Sequence, residues 1–229
     1  MIVRRLIAKD LYLYRWLIVG ALGIGSVSLV LSSSSPGGTT ADGGVSQGPN
    51  LGFILFMTTL ITFGIFIAMF GVFKEHQEKS RLFVLSLPVS PAQYLRAKLW
   101  AALLAFLGPW LFFTVGVVAS LATSGQPRGP IPFFVLMMTL FLANFCILLA
   151  VVVLFPSEVA AIVGILFTNI LVSLFMIRVG SLPGIAEFHG GTEAVFSSTT
   201  LVLLAAEVAL IVLALALAHY LPSRQRDFV

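Results

Sequence analysis

Long apolar runs alternate with short polar connections along the whole chain. Six runs, at residues 16–31, 52–73, 99–122, 133–155, 159–176 and 199–221, read as helices crossing a bilayer, which takes about twenty apolar residues. The third run contains Gly108-Pro109, a bend that neighbouring helices in a bundle tolerate. Residues 1–15 set Ile2, Leu6 and Ile7 among Arg4, Arg5 and Lys9, the pattern of an amphipathic helix on an anionic membrane surface. The connection after the first run is rich in Ser, Gly and Pro and has no Lys or Arg, so a flexible outer loop is expected. Pro156, Ser157 and Glu158 make the shortest connection. Residues 177–198 are too polar to span and are expected to form an outer segment, able to turn back as short re-entrant helices where protein covers their backbone.

One polar interruption carries clustered charge of both signs, between Phe73 and Lys98. Its spacing predicts helix, turn, helix. Glu75 stands four residues before Lys79 and Glu78 three before Arg81, both favourable helical pairs. Leu82, Phe83 and Leu85 add an apolar patch, giving a short amphipathic helix that Pro88 stops. Ser90, Pro91 and Gln93 then form a start signal, with Ser90 as N-cap and proline at the first helical position. The new helix carries Arg96 and Lys98 up to the membrane surface.

Composition supports the same class. With 59% hydrophobic and 10% charged residues the chain is far more apolar than a soluble domain, and it reads as an all-α polytopic membrane protein with a single transmembrane domain. The net charge of +4 does not point to nucleic acid, because the basic residues sit at the ends of spans. Eleven of the thirteen fall on the side shared by both termini and the 74–98 segment, and only Arg128 and Arg178 fall on the other. The positive-inside rule therefore places both termini and that segment in the cytoplasm; the membrane expected is a bacterial inner (plasma) membrane. The charged N-terminus lacks a convincing cleavage site and is read as retained. The lone cysteine, Cys146, lies in an apolar run and reads as a small buried hydrophobe, with no intramolecular disulfide possible.

Catalytic chemistry is not evident. No phosphate-binding G-x-x-x-x-G-K-[ST] loop occurs, and His76, His189 and His219 are scattered, so neither a nucleotide site, a metal site nor a nucleophile triad is expected. The twenty phenylalanines, spread over nearly every span, read as packing. Glu207 is the one carboxylate well inside a span, about seven residues or roughly 10 Å from its outer end. A carboxylate there costs a few kcal/mol unless paired, protonated or wet, so it reads either as a substrate or proton contact or as a polar residue hydrogen-bonded in the bundle.

The central stretch resembles the membrane subunits of type-2 ABC exporters, the ABC-2 permease family. The features that carry the resemblance are Glu75 just past the second span, the amphipathic segment Glu78 to Leu85, Ser86-Leu87-Pro88-Val89-Ser90, and Lys98 ten residues after the proline. The six spans, the basic N-terminal segment and the polar segment before the last span fit the same pattern. Lys79 stands where many members have glycine, Pro91 where a basic residue often follows the serine, and no large outer domain follows the first span. The resemblance implies a permease subunit that holds no cofactor of its own, ATP and Mg being bound by two copies of a separate ATPase. It implies pairing with a second permease chain, identical or not. It also makes residues 74–98 a coupling segment whose Glu75, Glu78, Lys79, Arg81, Leu82, Phe83, Leu85 and Pro88 dock the ATPase. The alternatives are a secondary transporter, which would usually show more spans, an internal repeat or several intramembrane charges, and a scaffold or sensor recruiting a cytoplasmic partner.

Overall fold

The computed structural model describes residues 2–34, 51–73, 91–123, 127–155, 157–189 and 191–220. These form helices α1 (Ile2–Ser34), α2 (Leu51–Ala68) with a π-helical turn at Met69–Phe73, α3 (Pro91–Thr123), α4 (Ile131–Leu154), α5 (Glu158–Val179), the short α6 (Pro183–His189) and α7 (Ser198–Tyr220). Among the described residues there is no strand. Six of the helices, all but α6, are long and apolar enough to cross a membrane.

Local signals explain two of the helix starts. Helix α3 starts at Pro91, where the missing N–H and fixed φ of proline suit a first turn. Helix α5 is capped by Ser157, whose side chain accepts from Ala160 N–H at 3.2 Å, with Glu158 in its first turn. Helix α1 departs from the expected division into an interfacial helix and a span. It runs unbroken for 33 residues, because neither proline nor glycine occurs between Ala8 and Val19 to interrupt it. At 1.5 Å per residue that is about 50 Å, well beyond a hydrocarbon core of about 30 Å.

Helix α4 is the centre of the bundle. Its most apolar stretch is 72% buried, against 17% for those of α1 and α7, and α2, α3, α5 and α7 all pack on it. The packing is aromatic: the rings of Phe63, Phe106 and Phe145 stack across α2, α3 and α4, with centroids 6.1 Å and 4.2 Å apart. Gly64 admits them, since a Cβ there would lie 3.1 Å from Phe106 and 3.3 Å from Phe145. Trp110, beside Pro109, donates its indole N–H to Met138 O across the α3–α4 contact at 2.6 Å. Buried indole groups need such a partner.

The end of the bundle formed by residues 127–131 and 180–198 is tied by hydrogen bonds. Gly129 N–H donates to Gly191 O at 2.9 Å, and Ser197 Oγ donates to Gly184 O at 2.6 Å, holding α6 against the start of α7. The polar stretch 177–198 thus contains the last turn of α5, a seven-residue helix and a tethered connection to α7.

Candidate functional site

At the opposite end of the bundle, α1 grips the two stems from which the 74–90 connection leaves. Asp10 and Lys98, from α1 and α3, form an ion pair of 2.9 Å and are 5% and 6% exposed. Lys98 Nζ also stands 5.8 Å from the centroid of Tyr94, one turn earlier on α3. A turn along α1 from Asp10, buried Tyr14 lies over Gly71 in the π-helical turn that ends the second span. A Cβ on Gly71 would run into the Tyr14 hydroxyl, so only glycine allows this approach. Arg96 is half-buried on α3, and its Nε has no hydrogen-bond partner among the described residues.

Such an ion pair is a rigid device more than a source of net stability. Desolvating both charges offsets much of their attraction, but removing either one takes this partner from a charge that stays buried. Together with Tyr14 and Gly71 it fixes the end of the second span and the start of the third to one helix.

The residues expected to dock an ATPase, Glu75, Glu78, Lys79, Arg81, Leu82, Phe83, Leu85 and Pro88, lie outside the described residues, as does the Ser90 cap. Glu207 is described. It is 5% exposed on the α7 face formed by Thr200, Glu207, Ala214 and Ala218, the face that packs on α4. Neither carboxylate oxygen has a hydrogen-bond partner among the described residues. Nine residues in from Ser198, it lies about 13 Å from that helix end.

Two sites escaped the sequence reading. Asp10 stands among the cations of the N-terminal segment as the sole acidic residue before Asp42. Asn144 on α4 is 7% exposed with both amide atoms unpartnered among the described residues, and with Thr168 of α5 it lines a cavity of about 30 Å³ otherwise walled by Leu60, Gly64, Phe106 and Phe145. That is a water-sized space. Thr168 bonds back to Gly164 O and Ile165 O at 3.0 Å, so its hydroxyl proton is already used. Among the described residues no three His, Cys, Asp or Glu side chains gather as metal ligands.

Comparison with characterised proteins and with solved structures returns no match. The profile of the ABC-2 family transporter protein, in contrast, matches residues 20–206, which takes in the latter part of α1, all of α2 to α6 and the first part of α7. With six helices among the described residues able to cross a bilayer and this match over most of its length, the chain is an integral membrane protein that belongs to the ABC-2 transporter family, whose members are in general non-enzymatic membrane components of ABC transporters.

Proposed function

We propose that this chain is the permease subunit of an ATP-driven exporter, in which two permease chains pair and two separate ATPase subunits, carrying ATP and Mg, dock on residues 74–98. The end of the bundle bearing Asp10 and Lys98 faces the cytoplasm in this reading. The distribution of basic residues supports that orientation, with only Arg128 and Arg178 toward the other side.

The observation that carries the reading is the grip of α1 on both stems of the 74–90 connection. A segment that transmits force from an ATPase needs stems that move together with the rest of the bundle. Buried Asp10 against Lys98, and Tyr14 against Gly71, meet that demand on the two sides of the segment. Displacement of the connection then passes to α1 and to both spans at once, so the assembly switches between two arrangements instead of flexing locally. Glu207, buried against α4 without a described partner, is the intramembrane polar contact of this reading.

The test is purification of the tagged full-length chain from its native membranes in mild detergent. A complex that contains an ATP-hydrolysing subunit in equal number with the permease is expected. Recovery of the chain free of any ATPase, from membranes in which it is stably inserted, would count against the exporter reading.

A further inference from the structure

Most polar side chains inside these spans settle on their own helix. Thr58, Thr114, Thr139, Thr168 and Asn169 each donate to the carbonyl four residues back, at 2.7–3.0 Å. Asn144 does not. It is buried on α4, and neither its Oδ1 nor its Nδ2 has a hydrogen-bond partner among the described residues. Its side chain instead lines the cavity of about 30 Å³ where α2 and α5 flank α4.

That cavity lies deep. Asn144 is ten residues from Leu154 and Thr168 ten from Glu158, so the two stand at one level, about 15 Å from the neighbouring ends of α4 and α5. This is the middle of a hydrocarbon core of about 30 Å. Apart from these two side chains the lining is apolar, with Phe106, Phe141, Phe145 and Val172 among it, and Gly64 adds no side chain to fill the space. One turn before Thr168, Gly164 brings α5 so close to α4 that a Cβ there would lie 3.2 Å from Leu148.

A hydrocarbon chain in the cavity would pair with neither amide atom and leave the buried carboxamide uncompensated. Water removes that cost. One molecule needs roughly 10–15 Å³ and at least two polar partners, and the cavity offers both. With its oxygen beside the amide edge it accepts from Nδ2, donates one hydrogen to Oδ1 and gives the other to Oγ of Thr168, whose own proton is used on Gly164 O and Ile165 O.

We propose that Asn144 and Thr168 hold one ordered water at the middle of the membrane, a hydrogen-bonded bridge between α4 and α5. The site is independent of the exporter reading. Helix α4 is the main neighbour of α5, so the bridge and the close approach at Gly164 together set the register of α5 on the central helix.

Solid-state NMR of the chain in liposomes tests this. The sequence has three asparagines, Asn50, Asn144 and Asn169, so isotopic labelling of asparagine nitrogen gives three side-chain amide signals, and Asn144→Leu identifies the one in question. At short mixing times magnetisation should pass from water to the Asn144 amide. Thr168→Val, which keeps the shape and removes the hydroxyl, should lower that transfer several-fold while the signal itself remains. Thermal melts give a second readout: Thr168→Val should lower the midpoint of the wild-type chain and change that of Asn144→Leu much less, since no amide is left there to hold the water. In a Cys146→Ser background, Asn144→Cys should stay unreactive toward a water-soluble maleimide, because one bound water leaves a reagent no room. Transfer to the amide from lipid chains and none from water puts hydrocarbon in the cavity and overturns the proposal. Maleimide labelling of Asn144→Cys replaces the single water by a path open to bulk solvent. A water signal unchanged in Thr168→Val, or equal midpoint losses in both backgrounds, removes Thr168 from the site and the bridge with it.

Discussion

Asp10 and Lys98 are 88 positions apart in sequence and meet at 2.9 Å, each almost wholly withdrawn from solvent. Neither α1 nor α3 can slide past the other without breaking this pair. A buried pair of this kind costs about 3–5 kcal/mol when one partner is removed. Asp10→Asn and Lys98→Met should each lower the thermal midpoint of the detergent-purified chain by several degrees. The double variant Asp10→Asn/Lys98→Met should recover most of the loss, since no charge is then left alone. A double variant as unstable as the sum of the singles would show that the two side chains act independently.

Tyr14 and Gly71 give a steric counterpart to that pair. A methyl group on Gly71 meets the tyrosine hydroxyl first, and ring carbon next. Gly71→Ala should therefore destabilise by about 1–3 kcal/mol, the usual cost of overpacking. In a Tyr14→Phe background the same substitution should cost less, because the nearest atom is gone. Equal losses in both backgrounds, read from thermal melts, would place the origin in the π-helical turn itself.

The six spans were legible because hydropathy is a local property, and α3 began at the expected proline because its start signal is local too. The joint was not legible. Asp10 stands in a run of cations whose pattern is the same for a helix lying on a membrane and for one projecting from it, so only the position of Lys98 in space distinguishes the two. The continuity of α1 follows from uninterrupted helix formers across residue 15, a signal that charge patterning outweighed in the reading. Asn144 was hidden by an opposite effect: one amide in 24 residues hardly changes the hydropathy of α4, although the burial of that helix makes the amide costly. Glu207 stood out because a carboxylate is much rarer in such a run. Its lack of a described partner depends on the helix packing and could not be read from spacing.

Glu207 lends itself to a stability test. An apolar residue of similar size on the α4-facing side of α7 removes two buried oxygens that have no partner among the described residues. Glu207→Leu should raise the thermal midpoint, by about 2–4 °C for each kcal/mol gained in a chain of this size. Glu207→Gln, still polar, should gain little. If the carboxylate serves transport, the stabilised variant pays in activity, as stabilised functional sites commonly do. A fall in midpoint for Glu207→Leu would mean that the carboxylate is held by a favourable contact.

Orientation is checked by chemistry from outside the cell. In a Cys146→Ser background, Ser46→Cys should react with a membrane-impermeant thiol reagent in whole cells, and Ser80→Cys should react only after the membrane is opened. The reverse pattern would place Asp10, Lys98 and the 74–98 segment on the outer side and remove the proposed docking face from any cytoplasmic ATPase.

The last prediction separates anchoring from orienting residues in the proposed docking segment. Leu82, Phe83 and Leu85 are the residues expected from the sequence to make its apolar patch, and an aliphatic or aromatic anchor in a partner's pocket commonly costs about 2 kcal/mol or more when cut to alanine. Glu75 and Glu78 stand at helical spacing from Lys79 and Arg81 in the sequence, and exposed pairs of that kind contribute about 0–1 kcal/mol each. Phe83→Ala should therefore strip the ATPase from the purified complex while membrane insertion stays normal, because no span is altered. Glu78→Lys should weaken docking less, and its effect should shrink as salt is raised, since screening acts on exposed charges and not on apolar burial. Asp10→Asn supplies the contrast: with the docking surface itself unchanged, it should retain the ATPase and lose the dependence of hydrolysis on the permease. If Phe83→Ala and Leu82→Ala both retain the ATPase at wild-type level, the 74–98 segment is a connection and no more, and docking must be sought on another cytoplasmic surface.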